Sequence, residues 1–375
     1  MTSEAGPAAI ERYLDAEGSG RLLQSLKSYL ADRGFESTNV FGRTYSLIDL
    51  LSFLVRALRV AAEKELGALG DRVVVGRPVH FSGGEAEEDD AFAEGRLRAA
   101  IEAAGFGEVV FEYEPVAAAY YYESRLDHDE LVLIADFGGG TSDFSLVRVG
   151  PGARRAGHAE RILGNDGVGI AGDALDAKIL HHVVSPALGL GSTYRSMLGK
   201  ELPAPVWLYA KLRRWHHLSF LKSKRTTELL REMLDQTDER AKIAALVHIV
   251  ENDLGYSLYR SVERAKVALS AGKSARFLFE EGPVRIDHTF GRADFEGWIG
   301  EETSAMAGCV DRMLARAGVA AKDVDRVFMT GGTSFVPAVR ALFDARFGAE
   351  RIVAGGEMIS VASGLALRAR DLGSD

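Results

Sequence analysis

Three consecutive glycines between two apolar stretches constrain this chain more than any other feature. The segment from Ile134 to Asp143 has the sequence IADFGGGTSD, and an almost wholly apolar run begins at Leu131. Residues 142–149 then alternate between polar and apolar side chains, which indicates a second strand. Glycine tolerates positive φ and lets a backbone approach a ligand closely. We therefore predict a β-hairpin whose turn contacts a ligand.

The residue types of this turn suit a phosphate group and a divalent cation. Asp136 ends the first strand and Asp143 begins the second, where both can hold Mg²⁺ through its waters. Thr141 adds a hydroxyl donor. Converging backbone amides can bind phosphate oxygens, and here they would come from Gly138, Gly139 and Gly140. The simpler alternative is a glycine hairpin whose aspartates cap the turn, but carboxylates on both sides of it favour a site.

Strand and helix patterns alternate along the chain in two groups. Short β-rich runs and helical periods follow one another up to about residue 184, and again from about residue 276. Between about 207 and 270 the pattern is helical throughout. This order predicts an α/β protein with two sheet-containing lobes, the second of which carries a long helical insert.

Charge and composition argue against several classes of partner. The chain has 45 basic and 54 acidic residues and a net charge of −9, which disfavours nonspecific binding to nucleic acid or to anionic membranes. The N-terminal residues lack the pattern of a signal peptide, and no apolar run reaches the length of a membrane span. We therefore expect a cytoplasmic protein. Cys309 lies in an apolar helical pattern and is expected to be a core residue.

Two further segments have alternative interpretations. Residues 167–172 fit the dinucleotide pattern G-x-G-x-x-G, but no buried strand is predicted before them, so a turn is favoured over a nicotinamide or flavin site. Residues 211–225 are basic and aromatic. Their apolar side chains fall on one helical face, which favours a packed helix with a solvated basic side. The alternative is a surface for a protein partner or client.

The hairpin sequence from Asp136 to Asp143 resembles the second phosphate loop of the DnaK-type chaperones of the heat shock protein 70 family. Further segments match in the family's order: QSLKSYL at 24–30, EYEPVAAA at 112–119, ERAKVALS at 263–270 and VFMTGGT at 327–333. Together they cover nearly the whole chain. The motif Gly-Arg-Pro at 76–78 and the long helical region make the YegD branch of the family the most similar.

The resemblance implies a role for each matched position. Glu114 would supply a carboxylate near the metal, and Lys27 would be the catalytic lysine. The residues that would hold the nucleoside are Glu263, Lys266, Ser270, Gly331, Gly332 and Thr333. Val267 and Phe335 stand where the family clamps adenine between two arginines, and Phe335 can stack on a purine instead.

Each of these roles has a plainer alternative in the sequence itself. Glu114 could cap the helix that begins at Pro115, and Lys27 could be a solvated charge. Lys266 could form a surface ion pair with Glu263, three residues earlier on the same helix face. The glycines at 331–332 could form only a tight turn between a strand and a helix.

The resemblance also implies the actin-like, ribonuclease H-like ATPase fold, with two lobes around a nucleotide cleft. The first lobe would comprise residues 1–130 and 357–375, and the second lobe residues 131–356 with its insert at about 203–270. ATP or ADP and Mg²⁺ would be the cofactors. Asp136, Asp143 and Glu114 would form the metal shell.

Departures from the family pattern qualify the expected activity. No Asp-x-Gly-Thr motif for a first phosphate loop precedes residue 24, and no peptide-binding module follows the last helix. We therefore expect an N-terminally truncated, chaperone-like ATP-binding protein with slow or impaired hydrolysis, because phosphoryl transfer needs electrostatic contacts from several sides. The alternative is a nucleotide-sensing or nucleotide-dead interaction module, and a small-molecule kinase is a third possibility.

Overall fold

The computed structural model describes residues 4–15, 20–23, 25–84, 87–155, 158–196, 199–213, 221, 223–356 and 359–373. Helices and strands alternate in it, which confirms the predicted mixed α/β class. The strands are β1 Ser37–Val40, β2 Arg43–Ser46, β3 Arg72–Arg77, β4 Glu108–Tyr113, β5 Glu130–Phe137, β6 Ser142–Val149, β7 Ile162–Val168, β8 Thr193–Arg195, β9 Glu201–Pro203, β10 Ser274–Glu281, β11 Val284–Gly291, β12 Arg326–Thr330 and β13 Ile352–Ala354.

The α-helices are α1 Pro7–Asp15, α2 Leu47–Leu66, α3 Glu87–Ala103, α4 Glu114–Glu123, α5 His158–Arg161, α6 Gly172–Ile179, α7 Ser185–Ala187, α8 Val206–Leu212, α9 Lys224–Gln236, α10 Arg240–Glu251, α11 Gly255–Ala271, α12 Arg292–Trp298, α13 Gly300–Ala317, α14 Pro337–Phe347 and α15 Ser360–Leu372. A π-helical turn, Leu180–Val184, continues α6. No helix in the described part of the chain combines the length and apolarity needed to cross a bilayer.

The chain divides into two compact units, which are Met1–Gly172 with Glu302–Asp375, and Asp173–Glu301. These boundaries differ from those of the predicted lobes, and the division into lobes at residues 130 and 357 stays a prediction.

A five-stranded sheet in the order β13-β12-β5-β6-β7 forms the centre of the first unit. Strands β13, β12 and β5 are parallel, whereas β6 is antiparallel to both β5 and β7. The side chains from Val132 to Ala135 are completely buried, as expected for a strand covered on both faces. The predicted hairpin of β5 and β6 is therefore confirmed.

Helices α4 and α15 lie against this sheet and against each other. Helix α4 begins with Pro115 in its first turn and buries its apolar residues from Val116 to Tyr120. Gly364 lets α15 approach closely, because a Cβ there would collide with the carbonyl oxygen of Ala117. This packing fixes the start of α4, where Glu114 lies.

Strands β3 and β4 form a separate parallel pair beside α2 and α3. The capping box of Ser46 and Asp49 sets the start of α2. Strand β3 ends at Arg77, before a proline, which cannot donate a ladder hydrogen bond. Residues 78–84 instead form a loop that leads into α3.

The second unit consists mainly of helices, as predicted for this part of the chain. Helices α8 to α11 fall within the predicted insert, although residues 214–220 and 222 of its basic stretch lie outside the described residues. Eight-residue strands β10 and β11 form a regular antiparallel hairpin. The short hairpin of β8 and β9 was not predicted.

Two smaller expectations are settled by the fold. Cys309 is completely buried in α13, as predicted. The glycine pattern at 167–172 begins inside β7, so the expected turn is shorter than predicted. Because β7 is antiparallel to β6, the pattern does not open a βαβ unit and is not a dinucleotide fingerprint.

Candidate functional site

Two aspartates face each other where the central hairpin turns. Asp136 at the end of β5 pairs in register with Asp143 near the start of β6. Asp136 is only 8% exposed and Asp143 only 1% exposed. Two carboxylates are thus held at one end of a buried ladder, where water can solvate neither of them fully.

Burial, together with the negative charge of Glu114, raises the pKa of both carboxyl groups to about 7. For Asp136 the largest cause is desolvation, followed by the negative charges of Glu114 and Asp143. For Asp143, hydrogen bonds from the Thr141 side chain and the Val79 backbone partly offset the desolvation. A cation bound between the two carboxylates would relieve this cost, and such strongly shifted groups are typical of functional sites.

One cation already lies near the pair. Lys27, in the 3₁₀ turn Leu26–Tyr29, forms an ion pair with Glu114 at the start of α4. The positive charge of Lys27 lowers the pKa of both aspartates, whereas Glu114 raises it. Four of the predicted catalytic residues are therefore neighbours in the structure.

The glycine turn lies open beside these side chains. The N–H of Gly138 donates to the carbonyl oxygen of Thr141 at 2.9 Å, which closes the turn. A Cβ added at Gly140 would lie 3.6 Å from Ser82 Oγ and 4.0 Å from Ser28 Oγ. Two serine hydroxyls therefore lie near the turn, and hydroxyl groups can donate hydrogen bonds to phosphate oxygens.

The loop after β3 is hydrogen-bonded to the same hairpin. The N–H of Val79 donates to Oδ1 of Asp143 at 2.7 Å. Asp90 of α3 accepts the N–H of Phe81 at 2.7 Å and contacts Nδ1 of His80 at 2.6 Å. A helix that is distant from the hairpin in sequence therefore sets the position of this loop.

A second glycine turn follows the adjacent strand at the same sheet edge. Thr330 of β12 is in parallel register with Asp136, and Gly331 and Gly332 come next. Gly331 has φ of +81°, and a Cβ there would collide with the carbonyl oxygen of Phe137, so only glycine fits. Thr333 is buried and Phe335 is 53% exposed. The turn thus lies against the β5–β6 hairpin at the carboxyl ends of parallel strands, where α/β sheets commonly bind ligands.

The predicted nucleoside residues on α11 belong to the second unit. Lys266 forms an ion pair with the buried Asp176 at 2.8 Å, and Ser270 Oγ lies 3.5 Å from the Lys266 carbonyl oxygen. Glu263 pairs with Arg260 at 3.4 Å, so the Glu263–Lys266 ion pair, which was the plainer alternative for these residues, does not form. Burial raises the pKa of Asp176 to about 6, although Lys266 opposes this shift. That these residues share one site with the turn at 331–333 stays a prediction.

The donor set fits magnesium better than it fits a metal that needs a cage of side chains. Among the described residues, no three histidine, cysteine, aspartate or glutamate side chains come together as a metal site. Mg²⁺ typically keeps several waters and uses one or two carboxylates plus substrate phosphates. Asp136 and Asp143, beside an open glycine turn, match that requirement. The predicted place of Glu114 in the metal shell stays a prediction, since Lys27 is its partner here.

Sequence reasoning missed several residues of this neighbourhood. His80, Asp90 and Ser82 follow the Gly-Arg-Pro motif, which was noted only for its resemblance. Asp166 on β7 is also buried, and it pairs with Arg316 of α13 at 2.9 Å. One sequence feature could have indicated these residues: polar side chains follow directly after the apolar run of β3. Functional residues are often found in loops that follow a strand.

Comparison with known proteins was consistent with these features. The family model described as Hsp70 protein matches residues 27–187 and 232–373. The chaperone protein DnaK of Thermosipho melanesiensis is 24% identical to this chain over 358 residues. That match covers 95% of this chain and 50% of the relative. The chain therefore spans about half the length of the curated relative that it matches.

Proposed function

This chain belongs to the Hsp70 family, whose nucleotide-binding half has the actin-like ATPase fold, and from that premise we propose that it binds ATP and ADP with Mg²⁺. The observation that carries the proposal is the pair Asp136 and Asp143 on either side of the glycine turn. Their raised pKa values mean that an unliganded pair of charges is costly, and a bound cation offsets that cost.

In the proposed complex each part of the hairpin has one task. The N–H groups of Gly139 and Gly140 hold phosphate oxygens, whereas the N–H of Gly138 closes the turn on the Thr141 carbonyl oxygen and the Thr141 hydroxyl donates to Asp143. Asp136 and Asp143 hold Mg²⁺ through its waters, with Glu114 nearby. The metal, when bound, neutralises charge on the phosphates. Lys27 orients the attacking water.

We further propose that the turn Gly331–Thr333 holds part of the nucleoside. The same role for Glu263, Lys266 and Ser270 on α11 is proposed separately, from the sequence resemblance alone. Two exposed apolar side chains, one in each unit, accord with these assignments. Phe335 is 53% exposed and Val267 is 62% exposed, although large apolar side chains usually avoid water. A purine base would cover such surfaces.

Hydrolysis is proposed to be slow. Transition-state charge in phosphoryl transfer is stabilised by cations and donors on several sides. Lys27 is the cation that acts on both hairpin aspartates, and it is half exposed and already paired with Glu114. We also propose, from the sequence, that the protein is chaperone-like and belongs to the YegD-like branch. Its location in the cytoplasm and its division into two lobes at the predicted boundaries are part of the same proposal.

Calorimetric titration of ATP and ADP into the chain, with magnesium or with a chelator, tests the proposed site. We expect saturable binding that weakens strongly without magnesium and in Asp136→Asn. The matched control is Asp323→Asn, at an exposed aspartate of the same unit that precedes β12, at the end of that strand away from the turn. Equal isotherms for the wild type and Asp136→Asn would remove Asp136 from the metal site.

A second candidate function is a nucleotide-sensing or nucleotide-dead module that contacts a protein through the helical region. Exposed apolar side chains at the start of α8 favour it, because Val206 is 66% and Trp207 is 43% exposed. Turnover measurements separate the two candidates. Binding accompanied by phosphate release supports the ATPase, whereas binding without any release supports the sensor.

A further inference from the structure

An exposed apolar pair lies in the second unit, where the β8–β9 hairpin leads into α8. Val206 is 66% exposed and Trp207 is 43% exposed, although the opposite side of the same helix is buried. Leu208 and Leu212 form that buried side, and the Tyr209 hydroxyl donates to the Leu188 carbonyl oxygen at 3.1 Å. These contacts fix the helix, so Val206 and Trp207 are held at the surface. Adjacent large apolar side chains at a surface are typical of a contact with another protein.

Basic side chains follow the apolar pair along the exposed side of α8. Lys211 comes four residues after Trp207, and its Nζ lies 5.5 Å from the centre of the indole ring. Arg213 comes seven residues after Val206, which places it two turns further along the same helical face. Within the described residues, no carboxylate pairs with Lys211 or Arg213. The exposed side of α8 therefore has an apolar end and a basic end.

The β8–β9 hairpin adds positive charge before this helix. Arg195 and Lys200 are exposed at the tip of the hairpin. Glu201 accepts a hydrogen bond from the Thr193 hydroxyl at 2.7 Å, and it does not pair with Arg195, its partner in the strand register. Each strand has three residues and is about 10 Å long. The tip of the hairpin and the start of α8 therefore lie within the length of one short extended peptide.

The charge of this segment is opposite to that of the whole chain. Residues 195–225 contain eight basic residues and one acidic residue, whereas the chain has a net charge of −9. Nucleic acid or an anionic membrane extends beyond the segment and is repelled by the rest of the chain. A short acidic peptide is affected mainly by the local charge, because salt screens exposed charges beyond about 8 Å at physiological ionic strength. The local charge therefore favours a short acidic partner segment.

We propose that Val206, Trp207, Lys211, Arg213 and the hairpin tip form one docking surface for an acidic protein segment that carries large apolar side chains. The inference rests on the second candidate function, contact with a protein through the helical region, and is independent of nucleotide binding. Apolar side chains of the partner cover Val206 and Trp207, and its carboxylates pair with Lys211 and Arg213. Tryptophan and arginine are enriched in protein interfaces, and opposite charges steer the partners together.

Selection from a random displayed peptide library on the full chain, without nucleotide, tests the proposed partner chemistry. We expect the enriched peptides to combine aspartate or glutamate with aromatic or large aliphatic residues. Fluorescence anisotropy of an enriched, labelled peptide then gives its Kd in solution. Trp207→Ser should weaken this binding at least about 10-fold, because a central aromatic side chain carries much of the energy of an interface. Leu58→Ser is the matched control, since Leu58 of α2 is 64% exposed in the first unit, and it should leave the Kd unchanged.

Charge reversal and salt test the electrostatic part of the docking surface. Lys211→Glu should weaken binding of the same peptide about fivefold, since one attraction is replaced by a repulsion. Lys273→Glu, at an exposed lysine of the same unit, is the control and should leave the Kd unchanged. Raising the salt concentration from about 0.1 M to about 1 M shortens the Debye length from about 10 Å to about 3 Å, so the affinity should fall. Urea unfolding curves that match the wild type show that each variant is folded.

Other occupants of the surface are checked with the same variants. The probes are a labelled single-stranded oligonucleotide, vesicles of phosphatidylserine, and light scattering of the chain alone for a second copy. Binding of any of these that is lost in Trp207→Ser would overturn the inference.

The results of the peptide selection separate the inference from the function on which it rests. Enriched peptides that are neutral or basic and need Trp207 would contradict the inference but leave the second candidate function intact. Acidic peptides that bind Trp207→Ser as tightly as the wild type would also refute the assigned surface. No enrichment on a folded chain would contradict both the inference and the second candidate function. Calorimetric titration of ATP measures the proposed nucleotide site separately.

Discussion

Replacing Asp136 by asparagine should stabilise the unliganded protein while it removes a ligand for magnesium. The pKa of Asp136 is raised from an ordinary value of 3.8 to about 7, mainly by burial and then by the charges of Glu114 and Asp143. A carboxyl group with a higher pKa in the folded chain binds its proton more tightly when folded. The wild type therefore loses stability as pH rises from about 4 to about 7.

The size of this loss follows from the shift. A shift of one pKa unit corresponds to about 1.4 kcal/mol, so the change from 3.8 to about 7 corresponds to about 4 kcal/mol. Water penetration and relaxation around a buried charge reduce such costs in real proteins. We therefore expect Asp136→Asn to raise the free energy of unfolding at pH 8 by about 2–4 kcal/mol, with the gain disappearing near pH 4.

Urea denaturation at pH 4, 6 and 8 measures this gain, with Asp323→Asn as the exposed control. Magnesium and ATP should reverse the order of stability at pH 8. A ligand at 1,000 times its Kd adds about 4.1 kcal/mol to the wild type, which exceeds the expected gain of the variant, but adds little to the variant itself. A variant that is less stable than wild type at pH 8, or a gain that does not depend on pH, would refute this reasoning about the paired carboxylates.

Two further substitutions test other parts of the site. Gly331→Ala should lower the free energy of unfolding by about 3 kcal/mol or more, because positive φ and the Phe137 carbonyl oxygen leave no room for Cβ. Gly332→Ala, with no atom near its added Cβ, should be nearly neutral in the same urea titration, and equal losses would contradict this account. Lys266→Met should cost about 3–5 kcal/mol at pH 8, since Asp176 then stays buried without its cation. This loss should shrink as Asp176 becomes protonated below its pKa, whereas an unchanged loss at pH 5 would argue against an electrostatic origin.

The central hairpin could be predicted because local signals agree there. The apolar run of β5, the glycine turn and the alternation in β6 all indicate the same structure. Strand β7 was missed because its sequence, ILGNDGV, is rich in residues that are uncommon in strands. Pairing with β6 holds it in place, and no local pattern of single residues reveals such pairing. The short hairpin of β8 and β9 was missed for the same reason.

Prediction of the site was limited by contacts between residues distant in sequence. The aspartates and glycines of the hairpin were found because they are adjacent in the chain. The Lys27–Glu114 pair joins residues 87 positions apart and was not predicted, since the resemblance implied only a separate role for each residue. The contacts of His80 with Asp90, and of Asp143 with Val79, depend on how the loop after β3 folds, which its sequence does not specify.

The central claim is that the hairpin from Asp136 to Asp143 holds a metal-bound nucleotide. Crystals of the chain grown with ADP and Mn²⁺ in place of Mg²⁺ test it most directly, because the anomalous signal of manganese locates the metal. We predict one strong peak beside Asp136 and Asp143, with phosphate density against the amides of Gly139 and Gly140. Manganese and ADP bound elsewhere, with the carboxylate pair empty at saturating ligand, would contradict the account.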